Sequence, residues 1–200
     1  INLSINDGDR IALLGLNGAG KTTLLKMLAG VYEPTSGVLE VHQKVTSLLN
    51  IGVGINGDLT GRENAIIKLL FRHVDGELAR QCIEDIEKFC SIGHFFDLPV
   101  STYSAGMKGR LTFAIATSIT PEVLLMDEWI GAGDSEFRDK AKKRIDDMAE
   151  SSNVLVFATH SAGIVERWAT RCVWMDKGRI REDGAVGDVL KNYQTYVKSL

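Results

Sequence analysis

Three cysteines in 200 residues leave little material for a disulfide framework. Cys82, Cys90 and Cys172 are widely spaced, odd in number and in no metal-like pattern, which points to buried, unreactive thiols in a reducing compartment. Long apolar runs are also missing. None approaches the roughly 20 residues that span a bilayer, and no charged-then-apolar leader opens the chain. A cytosolic chain is therefore expected, with a membrane partner left open. Charge of one sign is scarce as well: a formal net charge of -3 supplies no general attraction for nucleic acid or anionic lipid, although a local basic patch would escape that argument. Repeats and low-complexity segments are absent. What remains is 44% hydrophobic and 24% charged, an ordinary balance for a soluble globular protein. The length suits one domain with a substantial core and an inserted subdomain.

The most informative stretch is Gly15-Leu-Asn-Gly-Ala-Gly-Lys-Thr22. The apolar run Arg10-Ile-Ala-Leu-Leu14 before it reads as a buried strand, and Thr22 to Leu28 after it reads as a helix. A strand, a glycine turn and a helix start aim several backbone N–H groups and the positive end of a helix dipole at one point. Gly15, Gly18 and Gly20 let the backbone wrap closely around an anion. Lys21 then reaches terminal phosphates, and the Thr22 hydroxyl is a magnesium ligand. A glycine turn that merely ends a core strand would not need all eight positions, so the pattern implies nucleotide binding.

Along the rest of the chain, strands and helices alternate. The chain opens in an alternating run, Ile1-Asn-Leu-Ser-Ile5, read as a strand; a domain rarely begins in mid-strand, so further residues are expected upstream. Val38–Val41 and Val45–Leu49 read as short strands, and the glycine-rich stretch from Ile51 to Gly57 as a connection. Thr60 with Glu63 forms a capping box that leads into a helix through Phe71. A second helix is expected over Glu77–Cys90, and a third near Ala105–Ile119. Strand signals return at Val123–Met126 and Val154–Ala158, on either side of a charged helix over Phe137–Ala149. A hairpin follows from Cys172 to Arg181, and a last helix starts near Val186. This is the α/β plan with a mostly parallel sheet, interrupted by a helical block.

Three further segments carry chemistry. Val123-Leu-Leu-Met-Asp127-Glu128 is an apolar strand ending in two acids, at the sheet edge beside the phosphate loop. Asp127 is read as the magnesium-holding carboxylate and Glu128 as the general base for the attacking water. His160, just past the strand Val154–Ala158, reaches the same edge and can sense a γ-phosphate; taken alone, a histidine there is a weak signal. His42, His73 and His94 lack that context and are read as structural or surface groups. Tyr103-Ser-Ala-Gly-Met107 stands before a helix, with Ser104 as a cap and Gly106 open to an anion, which makes a second phosphate site or simply a helix start.

Taken together, Gly15–Thr22, Tyr103–Met107, Leu124–Glu128, Gly131-Ala-Gly-Asp134 and His160 resemble the nucleotide-binding domain of an ABC transporter, in that family's order and over nearly the whole chain. The resemblance implies a P-loop NTPase (RecA-like) core with an antiparallel β subdomain and an inserted helical subdomain. Its boundaries would be 1–59 and 104–200 for the core and 60–103 for the helices. It also implies ATP and Mg2+ as cofactors, held by Asn17, Gly18, Ala19, Gly20, Lys21, Thr22 and Thr23, with Thr22 and Asp127 on the metal and with Glu128, His160 and Lys21 catalytic. In the family the signature segment meets the nucleotide of the other subunit, so a homodimer is implied in which Ser104 and Gly106 act in trans on two sandwiched ATP molecules. The loop through Asp134 would then line the dimer seam.

The departures narrow the resemblance. Tyr-Ser-Ala-Gly-Met replaces the usual Leu-Ser-Gly-Gly-Gln, and Trp129 replaces the usual proline after the catalytic glutamate. Asn50 is the nearest substitute for the glutamine of the coupling loop, and the adenine-stacking aromatic would lie upstream of Ile1. With Thr60-Gly-Arg-Glu-Asn64 and the segment from Glu128 to Phe137, these features are similar to the subgroup that exports lipid-linked O-antigen, capsule or teichoic acid polysaccharide. The implied protein is an ATPase peripheral to the cytoplasmic face of the cell membrane, bound to a polytopic permease and not to nucleic acid. Two alternatives are weighed against it. A soluble ABC-type ATPase acting on nucleic acid or ribosomes would usually have two cassettes or a long coiled-coil insertion, and a non-hydrolysing regulatory module would not need Glu128 and His160.

Overall fold

The computed structural model describes residues 1–49, 51–127 and 135–199, the last stretch with side chains from Phe137 onward. The chain divides into two compact units. The first comprises Ile1–Leu49, Pro121–Trp129 and Ala149–Leu200, and the second Asn50–Thr120 and Ile130–Met148.

The first unit is built on a six-stranded sheet in the order β2-β3-β4-β1-β5-β6. Its strands are β1 (Arg10–Leu14), β2 (Val45–Ser47), β3 (Val123–Asp127), β4 (Val154–Ala158), β5 (Arg171–Asp176) and β6 (Arg179–Ala185). All pairings are parallel except β5 with β6. The central strands are continuous apolar runs because both faces are covered; β4 is buried at every position. β6 alternates exposed and half-buried residues, as an edge strand with one wet face does. Because β1, β3 and β4 run in one direction, their C-terminal ends lie at the same sheet edge. That edge is where ligands sit in open α/β sheets.

The helices of this unit are α1 (Lys21–Leu28), α6 (Ala162–Trp168) and α7 (Val186–Lys198). α6 was not anticipated. It is short, and only Val165 and Trp168 are buried, which is too few apolar positions to display a helical period. Two expected strands do not form. Ile1–Ile5 and Val38–Val41 have no regular structure, although Leu3 and Ile5 pack against the core. Alternation makes a strand only where a neighbouring strand supplies hydrogen bonds, and among the described residues neither run pairs with one; the Ser4 carbonyl accepts from the Arg171 guanidinium at 3.0 Å instead. Within the sheet of the described residues, the antiparallel pairing is β5 with β6.

The second unit is helical: α2 (Gly61–Phe71), α3 (Gly76–Cys90), α4 (Ala105–Ala116) and α5 (Ser135–Ser151) as far as Met148. It extends beyond 60–103 because α4 shares one apolar core with α2 and α3, built on Ala65, Leu69, Ile86, Phe96 and Leu111. Phe137 of α5 meets Phe89 and Phe113 edge-on at 5.5 and 5.8 Å, and the Arg144 guanidinium lies 4.1 Å over the Phe89 ring. The capping box at Thr60 forms as expected: Glu63 N–H donates to Thr60 Oγ1 at 3.1 Å, and Thr60 N–H donates to Glu63 Oε2 at 2.8 Å. Each such cap contributes about 1 kcal/mol.

Candidate nucleotide-binding site

β1 ends at Leu14, and the chain turns at once through Gly15, Gly18 and Gly20, whose φ angles are 151°, 79° and 101°. At Gly15 the constraint is also one of space: a Cβ there would stand 2.5 Å from the Met175 carbonyl oxygen and 2.9 Å from the Ala19 Cβ. α1 then begins at Lys21 with no side-chain cap, so the first-turn N–H groups and the positive end of the helix are presented to the loop. From behind, Gly178 N–H of the β5–β6 turn donates to the Ala19 carbonyl at 2.9 Å.

Lys21 is buried, at 8% exposure, and its ammonium donates to the carbonyls of Gly15 at 2.6 Å and Leu16 at 3.2 Å. A buried ammonium needs such oxygens, and phosphate oxygens are the stronger substitute for them. The Thr22 hydroxyl donates to the Asp127 carboxylate, which β3 delivers to the same edge. A cleft of about 460 Å³ gathers these groups, lined by residues from Asn17 to Thr23 together with Asp127 and His160. All the expected loop residues, Asp127 and His160 thus meet in one place.

Ser104 and Gly106 do not line that cleft. They stand exposed at the start of α4 in the helical unit, where Met107 N–H donates to Ser104 Oγ at 3.2 Å. Tyr103, at the position where the family's motif has leucine, is buried and donates to the Phe95 carbonyl at 2.6 Å, which anchors the segment that presents Ser104. Glu128, Asn50 and Gly131–Asp134 lie outside the described residues. Of the histidines set aside earlier, His42 lies near Glu40 on the surface and His94 packs on the Phe95 ring.

Asn64 was missed as a positioning group. It is buried, accepts from Asn56 N–H at 2.8 Å, and donates to the Asn56 and Thr60 carbonyls at 2.9 and 2.8 Å. It fixes the end of the glycine-rich connection onto α2. A polar residue inside a helical run was the available signal, since a buried asparagine requires partners.

A glycine loop from the first strand to the first helix, with a lysine and a hydroxyl beside a strand-end carboxylate, defines a P-loop nucleotide-binding domain. Comparison makes the class specific. The chain belongs to the ABC transporter family, whose model matches residues 1–131, and it has the ATPase-domain fold of that family. It is 38% identical over 194 residues to the O-antigen export system ATP-binding protein RfbB of Myxococcus xanthus, covering 97% of this chain and 44% of that one. It is 41% identical over 183 residues to the O-antigen export system ATP-binding protein RfbE of Yersinia enterocolitica, covering 92% and 77%. It is 37% identical over 198 residues to the teichoic acids export ATP-binding protein TagH of Bacillus cereus, covering 99% and 36%. The chain therefore spans less than half of the first and third of these relatives. Among solved structures, an ATP-binding subunit of an ABC transporter shares the fold with a TM-score of 0.75 at 20% identity, over 96% of this chain and 85% of that one. A dimeric ATP-binding cassette solved after hydrolysis with ADP and Pi gives a TM-score of 0.70 at 22% identity, over 93% and 89%. No helix among the described residues is long and apolar enough to cross a membrane.

Proposed function

We propose that this chain is the ATP-hydrolysing subunit of an exporter of lipid-linked polysaccharide, working through a membrane-spanning permease at the cytoplasmic face of the cell membrane. The observation that carries the proposal is the single cleft shared by Asn17–Thr23, Asp127 and His160. The export relatives, matched over nearly the whole of this chain, supply the cargo class.

In this reading the loop amides and Lys21 hold the β- and γ-phosphates of ATP. Magnesium fits the donors present: a hydroxyl and a carboxylate already in contact, Thr22 and Asp127, are hard oxygen ligands. Among the described residues no cluster of three or more His, Cys, Asp or Glu side chains could hold a metal unaided. That suits an ion which takes its remaining oxygens from phosphate and water. Bound there, magnesium would neutralise charge on the transferring phosphoryl group. Glu128 orients and deprotonates the attacking water, and His160 contacts the γ-phosphate. Ser104 and Gly106 close the site of a second copy, so ATP holds the homodimer together. The core and helical units correspond to the ATP-binding and permease-facing parts of the subunit. On α2, the exposed apolar face of Ile66, Ile67, Leu70 and Phe71 (the last 79% exposed) suits a permease segment better than water.

Phosphate release and ATP binding by Glu128→Gln test the chemistry. Binding is expected to survive while turnover falls by a factor on the order of 100 or more. Wild-type turnover in this variant would remove Glu128 from the mechanism. The export step is tested in membranes holding the permease, where lipid-linked glycan is expected to stimulate ATP hydrolysis.

A further inference from the structure

The turn between β5 and β6 backs the phosphate loop where α1 is about to begin. Gly178 N–H of that turn donates to the Ala19 carbonyl at 2.9 Å. A Cβ on Gly20 would stand 3.4 Å from the Gly178 Cα and 3.6 Å from the Met175 Cε, so the turn approaches to within a methyl group of the loop. Asp176 pairs with Arg179, which leaves Lys177 and Gly178 as the two central residues of the turn. Their φ angles of 47° and 76° are the left-handed pair that fits the twist of antiparallel strands. Trp174, next to Met175 in β5, faces the other side of the sheet. There the Arg181 guanidinium of β6 lies 4.3 Å over the Trp174 ring and 4.4 Å over the Tyr196 ring of α7, which ties the hairpin to that helix.

A trans peptide keeps its C=O and the following N–H in one plane and pointing opposite ways. The Ala19 carbonyl points back at Gly178, so the Gly20 N–H of the same peptide points forward, to the cleft that Ala19 and Gly20 line. We propose that Gly178 is a positioning residue of the nucleotide site: by holding the Ala19 carbonyl it aims the Gly20 amide at a phosphate oxygen before ATP arrives. This rests on the ATP reading above. An amide already aimed loses less entropy on binding, so the turn acts on affinity. Gly178 touches no reacting atom, and turnover at saturating ATP depends on it little.

The experiment compares ATP binding by titration calorimetry and steady-state hydrolysis in wild type, Gly178→Ala, Gly178→Asn and Gly8→Ala. Nothing stands within 4 Å of a Cβ added at Gly178, so alanine there meets only the penalty of a left-handed backbone and turns the N–H away as it relaxes. Gly8 is the matched control: its φ is 87°, its added Cβ is equally unobstructed, and its N–H donates to the Asn153 carbonyl at 3.1 Å. Both alanine variants are expected to melt below wild type by similar amounts. In Gly178→Ala, Kd and KM for ATP are expected to rise about 3- to 10-fold, the range of one net hydrogen bond, with kcat changed less than about twofold. Gly8→Ala is expected to keep the wild-type KM. Asparagine tolerates the left-handed region, so Gly178→Asn is expected to recover most of the lost affinity. An unchanged Kd in Gly178→Ala would overturn the proposal while leaving the ATP reading intact. So would an equal rise in Gly8→Ala, since that would report lost stability alone. A wild-type chain that binds no ATP would overturn the ATP reading and this proposal with it.

Discussion

Replacing Gly15 by alanine separates the two reasons for glycine in the phosphate loop. At Gly15 the added Cβ would stand 2.5 Å from the Met175 carbonyl oxygen, a backbone atom of β5 that no side-chain rotation can move. Overpacking of that kind costs about 1–3 kcal/mol. The φ of 151° adds about 1–3 kcal/mol of backbone strain. Together the loss is about 2–6 kcal/mol, or roughly 4 to 24 °C in melting temperature for a chain of this size. At Gly18, where φ is 79°, nothing stands within 4 Å of an added Cβ. Only the left-handed backbone is penalised there, by about 1–2 kcal/mol, or roughly 2 to 8 °C. Thermal unfolding of both variants without nucleotide reads the difference directly. Gly15→Ala is expected to melt well below Gly18→Ala and to bind ATP more weakly than wild type. Equal melting temperatures, or a wild-type value for Gly15→Ala, would refute the claim that β5 packs against the loop from behind.

Other outcomes follow from the same geometry. With Asp127→Asn, titration calorimetry is expected to show ATP binding in EDTA retained and the gain on adding magnesium lost; an undiminished gain would move the metal elsewhere. Tyr103→Phe removes one of the two donors to the Phe95 carbonyl, which keeps Leu98 N–H at 2.9 Å, at a cost of about 0.5–1.5 kcal/mol. Hydrogen exchange is expected to rise around Phe95 and at the start of α4, with nucleotide affinity unchanged. Burial pushes the Cys90 and Cys172 thiols up to about 11, from an ordinary 9.0. The fold favours the neutral thiol, so this stabilisation is complete below pH 9 and is lost as pH rises from 9 toward 11. Melting temperature is expected to fall across that interval, and less steeply in Cys172→Ser.

The parts of the site that depend on local chemistry were legible in the sequence. Gly15–Thr22 describes its own turn because the glycine positions and the helix start are neighbours in the chain. Val123–Asp127 announces a buried strand with a carboxylate at its end. The capping box at Thr60 and Glu63 needs only a three-residue spacing. What escaped depends on contacts distant in sequence. α4 joins the helical unit because Leu111 packs with Ile86 and Phe96, a fact that no periodicity within α4 reveals. Ile1–Ile5 has strand alternation yet forms no strand, since alternation does not supply a hydrogen-bonding partner. The backing of the loop comes from Gly178 and Met175, more than 150 positions from the Ala19 and Gly15 backbone they meet. Asn64 takes its role from the Asn56 backbone, which the helical pattern around it does not reveal.

The central claim is that the cleft at Gly15–Thr22 is half of a site that Ser104 and Gly106 of a second copy complete. Sedimentation of Glu128→Gln with ATP, set beside the same variant with Ser104→Arg added, tests it most directly. The first is expected to sediment at the mass of two chains with ATP and of one chain with ADP. The second is expected to stay at the mass of one chain while still binding ATP. A Glu128→Gln chain that is saturated with ATP and remains single would contradict the account.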